Sequence, residues 1–110
     1  MYRQRSSLGL EIVLTTESNY LLASTLAKSL LQAKLAACVS LREIESYYYW
    51  DGKMEQSNEV QLIIKTTNDQ LNKLLKLIEE LHSFDTPELI HWPISCSKSY
   101  LDWCEASVGS

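Results

Sequence analysis

Between residues 60 and 65 the chain alternates, with Val60, Leu62 and Ile64 set against Gln61, Ile63 and Lys65. This is the period-2 signature of a β-strand. A second β-prone run over 37–50, rich in Val, Ile and Tyr, precedes it, and Asp51-Gly52 stands between the two. Glycine enters positive φ freely and aspartate tolerates it, so this dipeptide predicts a two-residue type I′ turn joining arms 37–50 and 53–66. Both arms exceed the usual strand of about five or six residues. A hairpin that long outreaches the cover of one small domain, and its tip carries Tyr47, Tyr48, Tyr49 and Trp50. The tip is expected to pack on another copy of the chain.

The flanking segments read as follows. The run 10–15 contains one charge and is consistent with a largely buried strand. Thr16, Glu17, Ser18 and Asn19 then offer capping groups to a helix over 19–34, whose stripe of Leu22, Ala23, Leu26, Ala27, Leu30 and Ala33 has helical spacing. After Cys38-Val39-Ser40-Leu41 the strand pattern slips phase at Arg42-Glu43, which predicts a bulge or bend. Thr67 with Gln70 reads as a capping box ahead of a second helix with Leu71, Leu74, Leu75, Ile78 and Leu81 on its buried face. A loop over 83–86, a short strand over 88–92 that Pro93 stops or confines to an edge, and a last helix begun by Ser99 with Asp102 complete the chain. On that helix Tyr100, Trp103 and Cys104 share a side. The order strand, helix, strand, strand, helix, strand implies an α+β ferredoxin-like sandwich (βαββαβ), both main helices covering one face of a four-stranded antiparallel sheet. The other face lacks cover within one chain, and Ile63 between Gln61 and Lys65 makes it only partly polar.

Composition narrows the function classes. With 110 residues the chain has the size of one domain, expected over 8–110, after a loose tail over 1–7. A net charge of −4 opposes binding to a phosphate backbone, so nucleic acid is not an expected partner. No signal peptide, lipidation site or membrane span is legible. Cys38, Cys96 and Cys104 form no C-x-x-C pair and read as reduced thiols of a cytoplasmic protein.

The segments Leu35-Ala36-Ala37-Cys38-Val39, Tyr48-Tyr49-Trp50-Asp51-Gly52-Lys53, Glu59-Val60, Ile64-Lys65-Thr66-Thr67, Thr86-Pro87-Glu88 and Tyr100-Leu101-Asp102-Trp103 occur in the order and spacing of the CutA family of divalent-cation tolerance proteins, which the chain resembles over nearly its whole length. The resemblance implies a fold similar to that of the PII signalling proteins and a tight homotrimer whose sheets meet edge to edge. It further implies a link to tolerance of copper and other divalent ions, mammalian members having a different role at membranes. Two departures stand out. The family's Pro-Gly bend in the second strand is replaced by Arg42-Glu43, one residue shorter, and Thr15 stands where bacterial relatives can carry a cysteine, a soft metal ligand.

Candidate chemistry follows from these residues. Thiolate and imidazole are the natural ligands of copper, which draws in Cys38, His82, His91, Cys96 and Cys104, none at a ligand spacing. Cys38 follows Leu35-Ala36-Ala37 and reads first as a small buried hydrophobe, with ligation the alternative. His82 ends the second helix, where imidazole favours the dipole; the resemblance sets it at the position of a histidine implicated in copper binding. His91 and Cys104 read as packing residues. A second candidate is a cleft at the subunit boundary where Trp50, Glu59, Lys65, Tyr100 and Trp103 converge, either as interface anchors or around a small polar or anionic ligand. No catalytic set or phosphate loop is legible, so the chain reads as a non-enzyme. The alternative function is a PII-like sensor binding a small metabolite at the subunit cleft.

Overall fold

The computed structural model describes residues 9–109, so the expected tail over 1–7 lies outside the described residues. Its elements are β1 (Leu10–Glu17), α1 (Tyr20–Gln32), β2 (Cys38–Trp50), β3 (Lys53–Thr67), α2 (Leu71–Leu81), β4 (Ile90–Ile94) and α3 (Lys98–Ser107), with a 3₁₀ turn at Asn68–Gln70 leading into α2. The strands form one four-stranded antiparallel sheet in the order β2-β3-β1-β4, the ferredoxin-like α+β arrangement.

Residues paired across strands share a face. One face carries Val13, Val60, Leu62 and Ile64, and α1 and α2 close over it with Ala23, Leu26, Leu30, Leu71, Leu74 and Ile78 to form the main core. Alanines at 23 and 27 let α1 approach the sheet closely. On the opposite face α3 covers only one end, where Cys104 is buried with Leu10 and Ala37 and packs beside Ile94, Tyr100 and Leu101. The rest of that face is open, and Ile90 and Trp92 of β4 are exposed on it.

Asp51 and Gly52 both have positive φ, 56° and 80°, as the type I′ turn requires. The expected bulge at Arg42-Glu43 is absent, since the β2–β3 register runs unbroken from Cys38 opposite Lys65 to Trp50 opposite Lys53. The phase slip has another cause. Val39 and Leu41 face the helices, and beyond them the helical cover ends, so Ile44, Tyr48 and Trp50 put their apolar bulk on the opposite face with no change of backbone register.

Local chemistry corrects five smaller expectations. The Thr67 hydroxyl donates to Asp69 Oδ1 at 2.7 Å rather than capping a backbone amide, so the capping box does not form. Leu81, the last residue of α2, is 48% exposed, and Ala33 is exposed beyond the last turn of α1. The last strand starts at Ile90 and runs through Pro93, which an edge strand tolerates. The cap of α3 is Ser97, whose Oγ accepts from the Tyr100 amide at 3.3 Å. Asn19 caps α1 by accepting from the Leu22 amide at 2.9 Å. That helix ends in a 6→1 and 5→2 pair, Leu35 N–H to Leu30 O at 3.2 Å and Lys34 N–H to Leu31 O at 3.0 Å, with Lys34 at φ 63° in the place usually held by glycine.

β3 pairs with β1 only from Thr67 to Val60. Beyond Val60, β2 and β3 continue alone as a two-stranded ribbon, from Ile44 opposite Glu59 out to the turn. The ribbon stretches the molecule to 51 Å and its radius of gyration to 15.2 Å, against about 13 Å for a compact domain of this length.

Leu74 is buried and Leu81 is not. Leu74→Ala is expected to cost about 2–5 kcal/mol of unfolding free energy and Leu81→Ala under about 1 kcal/mol, as measured by urea denaturation.

Candidate functional site: the buried polar ends of the first strand and the open sheet face

β1 is apolar except at Glu11, Thr15, Thr16 and Glu17, and all four are buried. A buried carboxylate must be paired or hydrogen-bonded. Glu17, at the end of β1, accepts from the Ser83 hydroxyl at 2.5 Å and the Ser83 amide at 3.2 Å. His82, next in chain to Ser83, completes this clasp. Its Nε2 donates to the Thr16 carbonyl at 2.6 Å, and its Nδ1 accepts from the Phe84 amide at 3.0 Å while lying 3.6 Å from Glu17 Oε2. The carbonyl only accepts and the amide only donates, so the pattern fixes the neutral Nε2–H tautomer. The His82 side chain has no exposed surface, and both nitrogens are engaged. Coordination of a metal there requires giving up one of those bonds.

Glu11, toward the start of β1, is served from two sides. Asn68 Nδ2 donates to its Oε2 at 3.0 Å, and His91 Nδ1 lies 3.4 Å from its Oε1. The His91 side chain is 42% exposed, unlike that of His82. The sequence signal for Glu11 was a charge within an otherwise apolar strand, whereas Thr16 and Glu17, expected as capping groups, lie buried in β1 and leave the cap to Asn19; nothing in the local pattern named Ser83, Asn68 or His91 as the partners, because they come from distant segments.

The cleft candidates divide into three groups along the hairpin. Lys65 Nζ lies 5.5 Å from the centroid of the Tyr100 ring, and Tyr100 stacks on Trp103 at 5.7 Å. Hydrogen bonding with Tyr100 holds the Lys65 ammonium above its ordinary value. Cys38 faces Lys65 across the β2–β3 pair and is half-buried. Glu59 sits farther along β3, about 20 Å away at roughly 3.3 Å per residue, and accepts from the Ser46 hydroxyl at 3.0 Å. It lines a cavity of about 590 Å³ in the crook between the start of α1 and the ribbon, with Asn19, Tyr20, Glu43, Glu45 and Asn58. Trp50, at the tip, is 71% exposed and some 40 Å from Lys65 by the same rise. A single chain therefore brings Lys65, Tyr100 and Trp103 together and leaves Glu59 and Trp50 apart; only a second chain would unite the five.

Cys96 is exposed and Cys104 buried. Burial raises the Cys104 thiol above its ordinary value, Tyr100 and Lys65 opposing that shift. Among the described residues, no three of His, Cys, Asp and Glu converge as a metal cage.

The family model described as CutA1 divalent ion tolerance protein matches residues 11–107. A divalent-cation tolerance protein CutA of Pectobacterium atrosepticum is 43% identical over 99 residues, covering 88% of this chain and 90% of its own length. The crystal structure of CutA1 from Oryza sativa superposes with a TM-score of 0.88 at 36% identity, covering 96% of this chain and 98% of that one. The structure of a protein described as the periplasmic divalent cation tolerance protein CutA from Archaeoglobus fulgidus gives 0.86 at 33% identity, with coverage of 91% and 99%.

The buried thiol sets an alkaline dependence. In the unfolded chain Cys104 ionises around its ordinary value of 9.0, whereas the native state keeps the proton longer, so the unfolded state binds fewer protons and native stability falls as pH rises through that region. Between about pH 8 and 10 the wild type is expected to lose stability relative to Cys104→Ala, read by thermal unfolding across the series.

Proposed function

The chain belongs to the CutA1 divalent ion tolerance family, and from that premise we propose that it acts in tolerance of divalent metal ions, working as a non-catalytic homotrimer that contacts the ion itself, copper(II) first among them. Membership carries the tolerance role, since the match spans the chain and most of its relatives' length. The bare ribbon supports assembly. An isolated two-stranded hairpin is marginal in water, and this one exposes Tyr47, Tyr49, Trp50 and Met54, the kind of aromatic surface that anchors interfaces. The open sheet face with Ile90 and Trp92 supplies a second apolar surface. No helix among the described residues is long and apolar enough to cross a membrane, and three thiols without a disulfide among the described residues favour a reducing compartment such as the cytoplasm.

A second reading rests on the Lys65–Tyr100–Trp103 group, an ammonium beside two stacked rings, which suits a small anionic ligand at a boundary between subunits. In that reading the protein is a PII-like sensor. Specific thermal stabilisation by a nucleotide or small anion, with none from copper, would favour it, because a ligand that binds only the native state raises stability by mass action.

Assembly is tested by solution mass from light scattering at several protein concentrations, with and without copper(II). A stable trimer is expected in both conditions; a monomer would remove the reason for the aromatic ribbon. Trp50→Ala is expected to cost the assembled protein about 3–5 kcal/mol, and a loss below about 1 kcal/mol would mean that the tip stays in water. The tolerance role is tested by growth of cells depleted of the protein in graded copper, zinc and cadmium. Lowered tolerance that the wild-type gene restores is expected, and unchanged tolerance would contradict the role.

A further inference from the structure

His82 joins three parts of the chain. Its backbone amide donates to the Ile78 carbonyl at 2.8 Å and so closes α2. Its Nδ1 accepts from the Phe84 amide at 3.0 Å, which sets the course of the chain after the helix. Its Nε2 donates to the Thr16 carbonyl of β1 at 2.6 Å. This last bond takes the place of a missing strand. β4 pairs with β1 only as far as Leu14. Two residues on, the Thr16 carbonyl points the same way with no strand amide to meet it among the described residues, and a buried carbonyl left unpaired costs stability. Thr16 and Glu17 end β1 opposite Gln61 and Val60, where the ribbon leaves the sheet. The imidazole therefore grips β1 at the root of the ribbon.

The same bonds decide whether the ring can serve the ion. A metal sits about 2 Å from an imidazole nitrogen, on its lone pair. On Nδ1 that position is held by the Phe84 N–H, and Nε2 has no free lone pair while it carries the proton donated to Thr16. The Phe84 ring packs 5.0 Å from the imidazole. Glu17, whose Oε2 lies 3.6 Å from Nδ1, already accepts from both the amide and the hydroxyl of Ser83. The His82 side chain has no exposed surface within a single chain, and assembly can only cover it further. This donor set does not fit a divalent cation.

We infer that His82 is a latch holding the root of the ribbon to the end of α2, closed to copper(II), and not the ligand of that ion which the family resemblance assigns to its position. As a statement about the ion it rests on the proposed contact, and it names a side chain which that contact leaves out. Neutral imidazole suits the latch because it sets one donor and one acceptor on separate edges of a rigid ring and brings no charge into the interior. Glutamine can offer an N–H to Thr16, but its oxygen sits at the same end of the side chain and is turned away from Phe84. A histidine here is thus accounted for without a metal.

The test uses the untagged full chain and two variants, His82→Ala and His82→Gln. The unfolding temperature is expected to fall by at least about 5 °C in His82→Ala, with part of the loss recovered in His82→Gln. In His82→Ala, amide exchange should quicken by at least about tenfold at Glu17 and Val60 while Ile64 keeps its wild-type rate. Calorimetry with copper(II) should give both variants the wild-type affinity within about twofold. An unchanged unfolding temperature, or exchange that quickens equally at Ile64, overturns the latch. A folded variant that binds copper(II) about tenfold or more weakly than wild type overturns the closure to the ion and leaves the proposed contact standing. A wild type that binds no copper(II) overturns the proposed contact alone, and the latch is then judged by stability and exchange. Two-bond nitrogen–proton spectra of the wild type, with and without zinc(II) as a diamagnetic stand-in, decide independently of how either variant folds. A His82 ring protonated at Nε2 in both conditions is expected, and one protonated at Nδ1, or one whose nitrogen shifts move when the ion binds, overturns the inference.

Discussion

The unbroken antiparallel register between β2 and β3 is the constraint on which the rest of the molecule depends. A slip of one residue would turn every later side chain to the wrong face. It would take Val39 and Leu41 out of the core and point Ile44 at the helices. Because the register holds, the chain can reassign its apolar positions midway along the hairpin without any irregularity in the backbone. Near the base, apolar side chains meet α1 and α2. Past Leu41, Ile44, Tyr48 and Trp50 turn to the opposite face, of which α3 covers only one end. The hairpin thus belongs to the chain's own core at one end and to a different environment at the other.

A similar division of labour runs along β1. This central strand buries two carboxylates, which cost stability unless each is hydrogen-bonded. Glu17 is met by Ser83 and neighbours His82, and this ties the end of β1 to the segment after α2. Glu11 is met by Asn68 and His91, which ties its start to the turn before α2 and to the edge strand. The two clusters bracket α2, so they fix where that helix enters and leaves the sheet. They differ in access to water. The first is a sealed structural clasp, and the second leaves the His91 side chain 42% exposed.

Much of this was legible in the sequence. Asp51-Gly52 named its own turn because only a narrow set of residues accepts positive φ at both positions, and the periods of α1 and α2 gave their core faces through Leu26, Leu30, Leu74 and Ile78. The ferredoxin-like order followed from those elements. What the pattern concealed were features that depend on distant partners. The slip at Arg42-Glu43 is a real change in hydrophobic phase, but a change of environment and a bulge leave the same trace in sequence. Thr67 and Gln70 have the chemistry of a capping box, yet Thr67 found Asp69 nearer. Ser97 was passed over for Ser99 because both precede a helical pattern and only geometry shows which hydroxyl reaches an amide. Of the five cleft candidates, Lys65, Tyr100 and Trp103 lie together in one chain, whereas the separation of Trp50 from Lys65 is a matter of strand length that a list of aromatic residues does not convey.

The central claim is that the ribbon beyond Val60 is held by other copies of the chain rather than by its own. Amide hydrogen exchange in the native protein reads this residue by residue, because protection reports the free energy of local opening. Amides of the ribbon that pair β2 with β3, between Ile44 and Glu59, are expected to exchange as slowly as those of Leu62 and Ile64 in the assembled protein, and to lose that protection first when dilution separates the copies. Ribbon amides that exchange at the rate of an unfolded chain at every concentration, while the core stays protected, would contradict the account.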